Sequence, residues 1–378
     1  MTKSFMGIAT FLVIHLLLGS CVAASRLLAA SSDPGSLKAK GEAKTQGYTF
    51  LTTNDEIVAG AKKEGRLRVA SQFDPSTNKA WIGAFKKRYP FMVDVHVDDA
   101  TGTDPQQRFL LELKAGRPTG WDVYDIAPDF YAEFLPYIRK FDILGMATAK
   151  ILAIPPAMID PKNRNAVSIA SSAHGIAYNR KLIPEDKLPK SWEDFLKPEL
   201  KGRKFLVDTR PQGFAALAAG LGEKWTLDYA KRIASQEPVW IRGQSRYFSS
   251  IADGEYPLFL LAYHYSCVRT AKKVPTEALG CKVIEPVPIR IQNFLGVNNT
   301  AQHPYSGLLW LEFLASPEGQ KLIDDFEEFN TSLYSPGSKL AKLIEGKKVS
   351  VNSWDTIHNS DKWQRMVTEA FGFPTAQK

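Results

Sequence analysis

Asp253–Cys281 reads DGEYPLFLLAYHYSCVRTAKKVPTEALGC, and the organisation of the chain turns on this stretch. Leu258–Leu261 is a short, continuous apolar run bounded by Gly254 and by polar residues. That suits a buried strand better than a helix, although periodicity alone does not separate the two. Ser266–Lys273 then has helical character. Tyr263, His264 and Tyr265 fall at the junction. In open α/β sheets, ligands bind where strands end against helix N-termini, because backbone N–H groups and side chains converge there. The junction is therefore expected to form the floor of a ligand cleft.

Working outward, the same strand, loop and helix alternation recurs. Thr53-Asn54-Asp55-Glu56 begins a helix that stops at Glu64-Gly65, an N-cap to C-terminal glycine pattern. Arg66–Ser71 reads as a strand leading into a loop with Gln72 and Asp74, and Asn78–Tyr89 as an amphipathic helix. Met92–Val97 and Gly120–Ile126 are further strands around a helix over Gln106–Ala115. This β-α-β-α-β order predicts a parallel sheet with right-handed crossovers. Asp129 and Tyr131 follow the third strand, where loops line clefts. Between the strand Phe205–Asp208 and the helix Phe214–Leu221, Arg210, Gln212 and Gly213 offer an anion-binding geometry. Arg242, Gln244 and Arg246 form a second polar cluster before the next helix.

With 378 residues, 44% apolar and 23% charged, the chain is long enough to bury one large core or two, and disorder is excluded as its main character. Lys3, the apolar segment Phe5–Leu18 and the small residues after it have the outline of an export signal. The segment is short against the roughly 20 residues of a bilayer-spanning helix. Leu18-Gly19-Ser20-Cys21 resembles a bacterial lipobox, which would make Cys21 a lipid-bearing first residue. Ordinary cleavage near Ala23 or Ala24 is the alternative. Residues 1–24 are read as a signal peptide and 25–52 as a flexible tether.

Of three cysteines, Cys267 and Cys281 remain outside the signal region. In an oxidising compartment they are a candidate disulfide pair closing a short loop, worth about 3 kcal/mol; two buried free thiols are the alternative. A formal net charge of +8 makes the chain mildly basic and able to attract acidic ligands. Its Lys and Arg residues are scattered rather than gathered into a stripe, so no nucleic-acid partner is expected.

Phosphate-loop, dinucleotide, HExxH and EF-hand signatures are absent. Gly243-Gln244-Ser245-Arg246-Tyr247 lacks the final glycine of a nucleophile elbow. His96, His174, His303 and His358 read as structural or exposed. No catalytic residue and no cofactor are expected. The alternative from another class is a secreted hydrolase using Ser245 or Asp129 with His264.

Several segments, in their order and spacing, together resemble an extracellular solute-binding protein of the ferric-binding branch. They are Ala61-Lys62-Lys63-Glu64-Gly65, Trp121-Asp122-Val123, Gly175-Ile176-Ala177-Tyr178-Asn179, Trp192-Glu193-Asp194, Ala252-Asp253-Gly254-Glu255 and Ala315-Ser316-Pro317-Glu318-Gly319-Gln320. The likeness covers essentially all of the chain after residue 54. It implies a type II periplasmic binding fold, in which two α/β lobes with mixed sheets are joined by crossing strands, here near Ala153–His174 and Ile284–Gln292. Lobe 1 would comprise 53–155 plus 285–325, and lobe 2 156–284 plus 326–378.

The resemblance further implies a periplasmic or extracellular protein that closes on a small solute or ion and presents it to the membrane subunits of an ABC importer. A monomer is expected, touching the membrane only through any lipid anchor. Ferric-binding relatives place adjacent tyrosines at the helix start matching His264-Tyr265. Here that pair is broken into Tyr263-His264-Tyr265, the candidate ferric ligands, and Gln72-Phe73-Asp74 supplies no His or Tyr. Phenolate oxygens suit a hard ferric ion. The other expectation is an organic or anionic solute held by Arg210, Gln212, Arg242, Gln244, Arg246 and Tyr265.

Overall fold

The computed structural model describes residues 34–117, 119–274 and 277–374. The signal region, with the lipidation candidate Cys21, lies outside them. Among the described residues ten strands form one mixed sheet: β1 Arg66–Ser71, β2 Asp94–Asp99, β3 Val123–Ile126, β4 Val167–Asn179, β5 Leu206–Asp208, β6 Val239–Ile241, β7 Leu258–Tyr263, β8 Leu279–Lys282, β9 Val287–Val297 and β10 Val349–Val351. Their order is β2-β1-β3-β9-β4-β7-β5-β6, with β10 beside β9 and β8 beside β4.

The first lobe begins as the residues dictate. Thr53 accepts from the Glu56 N–H at 3.1 Å, and Gly65 at φ 62° ends the helix Asn54–Glu64. β1 then pairs in parallel with both β2 and β3, each crossover being a helix. The helix Asn78–Arg88 turns Trp81 and Phe85 inward, and Phe85 meets Trp310 and Phe313 of the helix Pro304–Ala315 edge-on. In the second lobe β7, β5 and β6 are parallel, as expected for strands joined by helical connections.

β4 and β9 are the crossings. The first half of β4 pairs antiparallel with β9, and its second half with β7 and β8. Every residue of both strands is buried, the signature of a sheet covered on both faces. Two core clusters belong to each lobe, and Ala173, Val287, Ile289 and Leu340 pack between them at the crossing. Leu258–Leu261 is a strand, two residues longer than read, and the helix after it begins at His264. Cys267 and Cys281 form a disulfide that ties this helix to β8.

Two expectations change. Within 25–52, described from residue 34, the chain is not a free tether. Pro34–Thr45 is a helix, Ala43, Phe50 and Leu51 are buried in the first lobe's core, and Tyr48 donates to the Asn163 carbonyl at 2.8 Å. The C-terminal tail divides between the lobes. Trp354 and Ile357 join the first lobe's core, while Val367, Ala370 and Phe371 join the second's. Among the described residues, no helix is long and apolar enough to cross a membrane.

Candidate functional site

A cleft of about 880 Å³ opens where the crossing strands meet the loops of both lobes. Gln72, Asp74 and Asp129 line it from the first lobe. Arg210, Arg242, Gln244, Arg246, Tyr263 and Tyr265 line it from the second, and Arg290, Gln292 and Asn293 of β9 form part of its floor. Most of the expected residues thus come together. Gln212 spans the gap by donating its amide to Asp129. Gly213 sits behind the cleft, where a Cβ would lie 3.0 Å from Leu261.

Like Gln212 and Gly213, two further expected residues are not part of the lining. Tyr131 is wholly buried, its hydroxyl donating to Asp160 while its ring packs on Phe294 and Trp354. Asp160 also receives Asn163 at 2.8 Å and pairs with His358 at 3.0 Å, so Tyr131 belongs to a structural network. A Tyr131→Phe variant is expected to lose about 1–3 kcal/mol of stability in urea unfolding, because a buried carboxylate loses a donor, with solute affinity unchanged. His264 is the other. Its ring meets Phe329 edge-on at 5.1 Å, Nδ1 has no partner among the described residues, and burial pulls its pKa down to about 4. It is a neutral packing residue near pH 7. Among the described residues no hydrogen bond joins it to Ser245 or Asp129.

The charge balance of the cleft is uneven. Arg210 forks onto Asp208, with Nε 3.0 and 3.1 Å from its two carboxylate oxygens. Lys273 lies 3.7 Å from Asp74 and Arg269 3.6 Å from Glu327. Arg246 donates to its neighbour Tyr247 at 2.7 Å. Among the described residues no carboxylate pairs with Arg242, Arg246 or Arg290. Arg290 is only 8% exposed, its Nε has no partner among the described residues, and its guanidinium lies 4.3 Å over the Tyr263 ring. A buried cation so poorly matched is costly unless something else supplies the negative charge.

Tyr263 and Tyr265 stack at 6.2 Å beside this cation. Burial raises the Tyr263 pKa above its ordinary value, with Arg290 and Arg210 pulling the other way, so the phenol is neutral near pH 7. Among the described residues, no group of three or more His, Cys, Asp and Glu is placed to hold a metal ion. Beneath the cleft, burial raises the Asp125 carboxyl to about 6, against lowering by the Gln72 N–H and Asn293. Its folded value exceeds the unfolded one, so the stability it confers is full below about 4 and lost as pH rises through about 6. The stability of the natural chain relative to Asp125→Asn should therefore fall over that window and then level, measured by urea unfolding.

The cleft residues that sequence reasoning missed are mainly Arg290, Gln292, Asn293, Arg269, Lys273 and Glu327. For β9 a signal existed: Arg290, Gln292 and Asn293 interrupt an otherwise apolar strand, VPIRIQNFLGV. Polar groups in a strand buried on both faces need partners, and a ligand is one kind of partner.

Comparison with known proteins agrees with this fold. The chain is 23% identical over 301 residues to the Fe(3+)-binding periplasmic protein of Serratia marcescens, covering 77% of this chain and 86% of that protein. A Trichodesmium protein solved in complex with iron and citrate ligands superposes with a TM-score of 0.63 at 16% identity, over 82% of this chain and 100% of the other. The substrate-binding protein of an ABC transporter from Agrobacterium tumefaciens gives 0.60 at 18% identity, over 81% of this chain and 95% of the other. These structures share the two-lobe periplasmic binding fold. The family described as bacterial extracellular solute-binding protein matches residues 122–360, more than half of the chain. With its two lobes, crossing strands and polar cleft, the chain belongs to the bacterial extracellular solute-binding proteins.

Proposed function

We propose that this protein captures a small anionic solute between its lobes and presents it to an ABC importer, without chemical turnover. Arg290 carries the reading: a buried guanidinium with no carboxylate paired to it among the described residues, open to a cleft that Arg242 and Arg246 also line. An anion entering there would make charge-assisted hydrogen bonds and remove the cost of the unmatched cation. Gln212 reaching Asp129 across the gap supports a hinge that closes on the solute. Action outside the cytoplasm as a monomer, with Cys21 as a lipid anchor, completes the proposal.

Ferric iron is the second reading, favoured by Tyr263 and Tyr265 lining the cleft together and by the ferric-binding relative. His264 would not be a ligand in the arrangement described. Thermal unfolding with small carboxylates, phosphates and ferric salts tests both, since a ligand that prefers the folded state raises the midpoint by mass action. Anions alone should shift the midpoint. A shift with ferric ion alone, accompanied by a tyrosinate charge-transfer band, would replace it by the iron reading.

A further inference from the structure

We propose that Asp125 is a positioning residue that turns one side of the cleft into a row of hydrogen-bond acceptors, so that the site selects an anion carrying a hydroxyl or ammonium group. This rests on the anionic-solute reading and narrows it. Asp125 lies on β3 and is 1% exposed. As a carboxylate it only accepts, and what donates to it is thereby oriented. The backbone N–H of Gln72 donates to its Oδ2 at 2.9 Å. The Gln72 side-chain amide donates at 3.1 Å to both its Oδ1 and its main-chain carbonyl, and Asn293 Nδ2 donates to Oδ2 at 2.9 Å.

Those bonds fix which way each amide faces. Turning either would set an amide oxygen against a carboxylate oxygen and strand both. The two side-chain amides therefore spend N–H groups on Asp125, and neither amide oxygen receives a hydrogen bond from the described residues. Both residues line the cleft, with the Asp129 carboxylate alongside. Asn293 is also held at φ 53°, in the left-handed region. Non-glycine residues keep that conformation where their surroundings over-determine it, often at ligand sites.

The opposite side is cationic, with Arg242 and Arg246 from the second lobe. A solute bridging the lobes meets donors at one end and acceptors at the other. A plain anion satisfies only the first. An anion with a hydroxyl or ammonium group satisfies both, whether it is a carboxylate or a phosphate ester.

Matched probes separate the cases on the intact protein. Calorimetric titration with succinate against malate and aspartate, and with ethyl phosphate against phosphoethanolamine, should show the donor-bearing member of each set binding about 10-fold or more tightly, the equivalent of one added hydrogen bond. In Asp125→Asn the new amide N–H2 opposes its neighbours' N–H groups, one of them must turn, and the preference should shrink to about 2-fold or less. Equal binding within each set by the natural chain would overturn the inference yet leave the anion reading standing. No binding of any of these anions would overturn both. An undiminished preference in Asp125→Asn would remove Asp125 from the account. If that variant does not fold, the comparison within sets on the natural chain still decides the selectivity.

Discussion

Replacing Arg290 with methionine should weaken anion binding about 100-fold, the scale of a lost charge-assisted hydrogen bond in a desolvated site. Methionine keeps an unbranched apolar stem against the Tyr263 ring, so packing on the floor is largely retained. The telling feature is the sign of the stability change. Arg290 is 8% exposed, and no carboxylate pairs with it among the described residues. Removing a poorly matched buried charge is neutral or stabilising. The expected result is a large loss of affinity by calorimetric titration with an unchanged or raised melting temperature. If affinity and stability fell together, Arg290 would be a structural residue of the crossing strand.

The second large effect concerns the brace behind the cleft. The disulfide between Cys267 and Cys281 joins positions 14 residues apart. Closing a loop of that size restricts the unfolded chain by about 3 kcal/mol. The Cys267→Ala, Cys281→Ala double variant should lose about that amount in urea unfolding. The helix it anchors, His264–Lys273, carries Tyr265, Arg269 and Lys273 to the cleft, so affinity should also weaken. A double variant as stable as the natural chain would show that the bond forms without constraining the fold.

Local chemistry made the elements legible before the site. Thr53 and Gly65 marked both ends of a helix because capping is a property of a few adjacent residues. The run Leu258–Leu261 pointed to β7 because a short, continuous apolar run with polar bounds suits a covered strand. The direction of each side chain was less legible. Tyr263 ends a strand and lines the cleft, while His264 starts a helix, where each residue rotates about 100° from the last, and so packs on Phe329 instead. A carboxylate and a phenol after β3 looked alike in sequence. Asp129 reaches the cleft, whereas Tyr131 turns inward to Asp160.

Long-range pairing was the least legible feature. An amphipathic helix announces a buried face without naming the lobe that covers it, so the division of the tail between Trp354 and Phe371 could not be read locally. The helix Pro34–Thr45 buries Ala43, and its polar, glycine-containing sequence carries no apolar stripe. Its docking depends on Phe50 and Leu51 beyond its end. Arg290 was hidden for a related reason. Its strand was recognised as a crossing, but which pleat faces the cleft depends on its register with β4.

Native mass spectrometry of the protein, purified without added ligand, separates capture of an anion from capture of iron. A small anion retained by the natural chain and lost from Arg290→Met is the predicted result. A bare ferric ion retained equally by both, with a tyrosinate charge-transfer band and no anion, would contradict it.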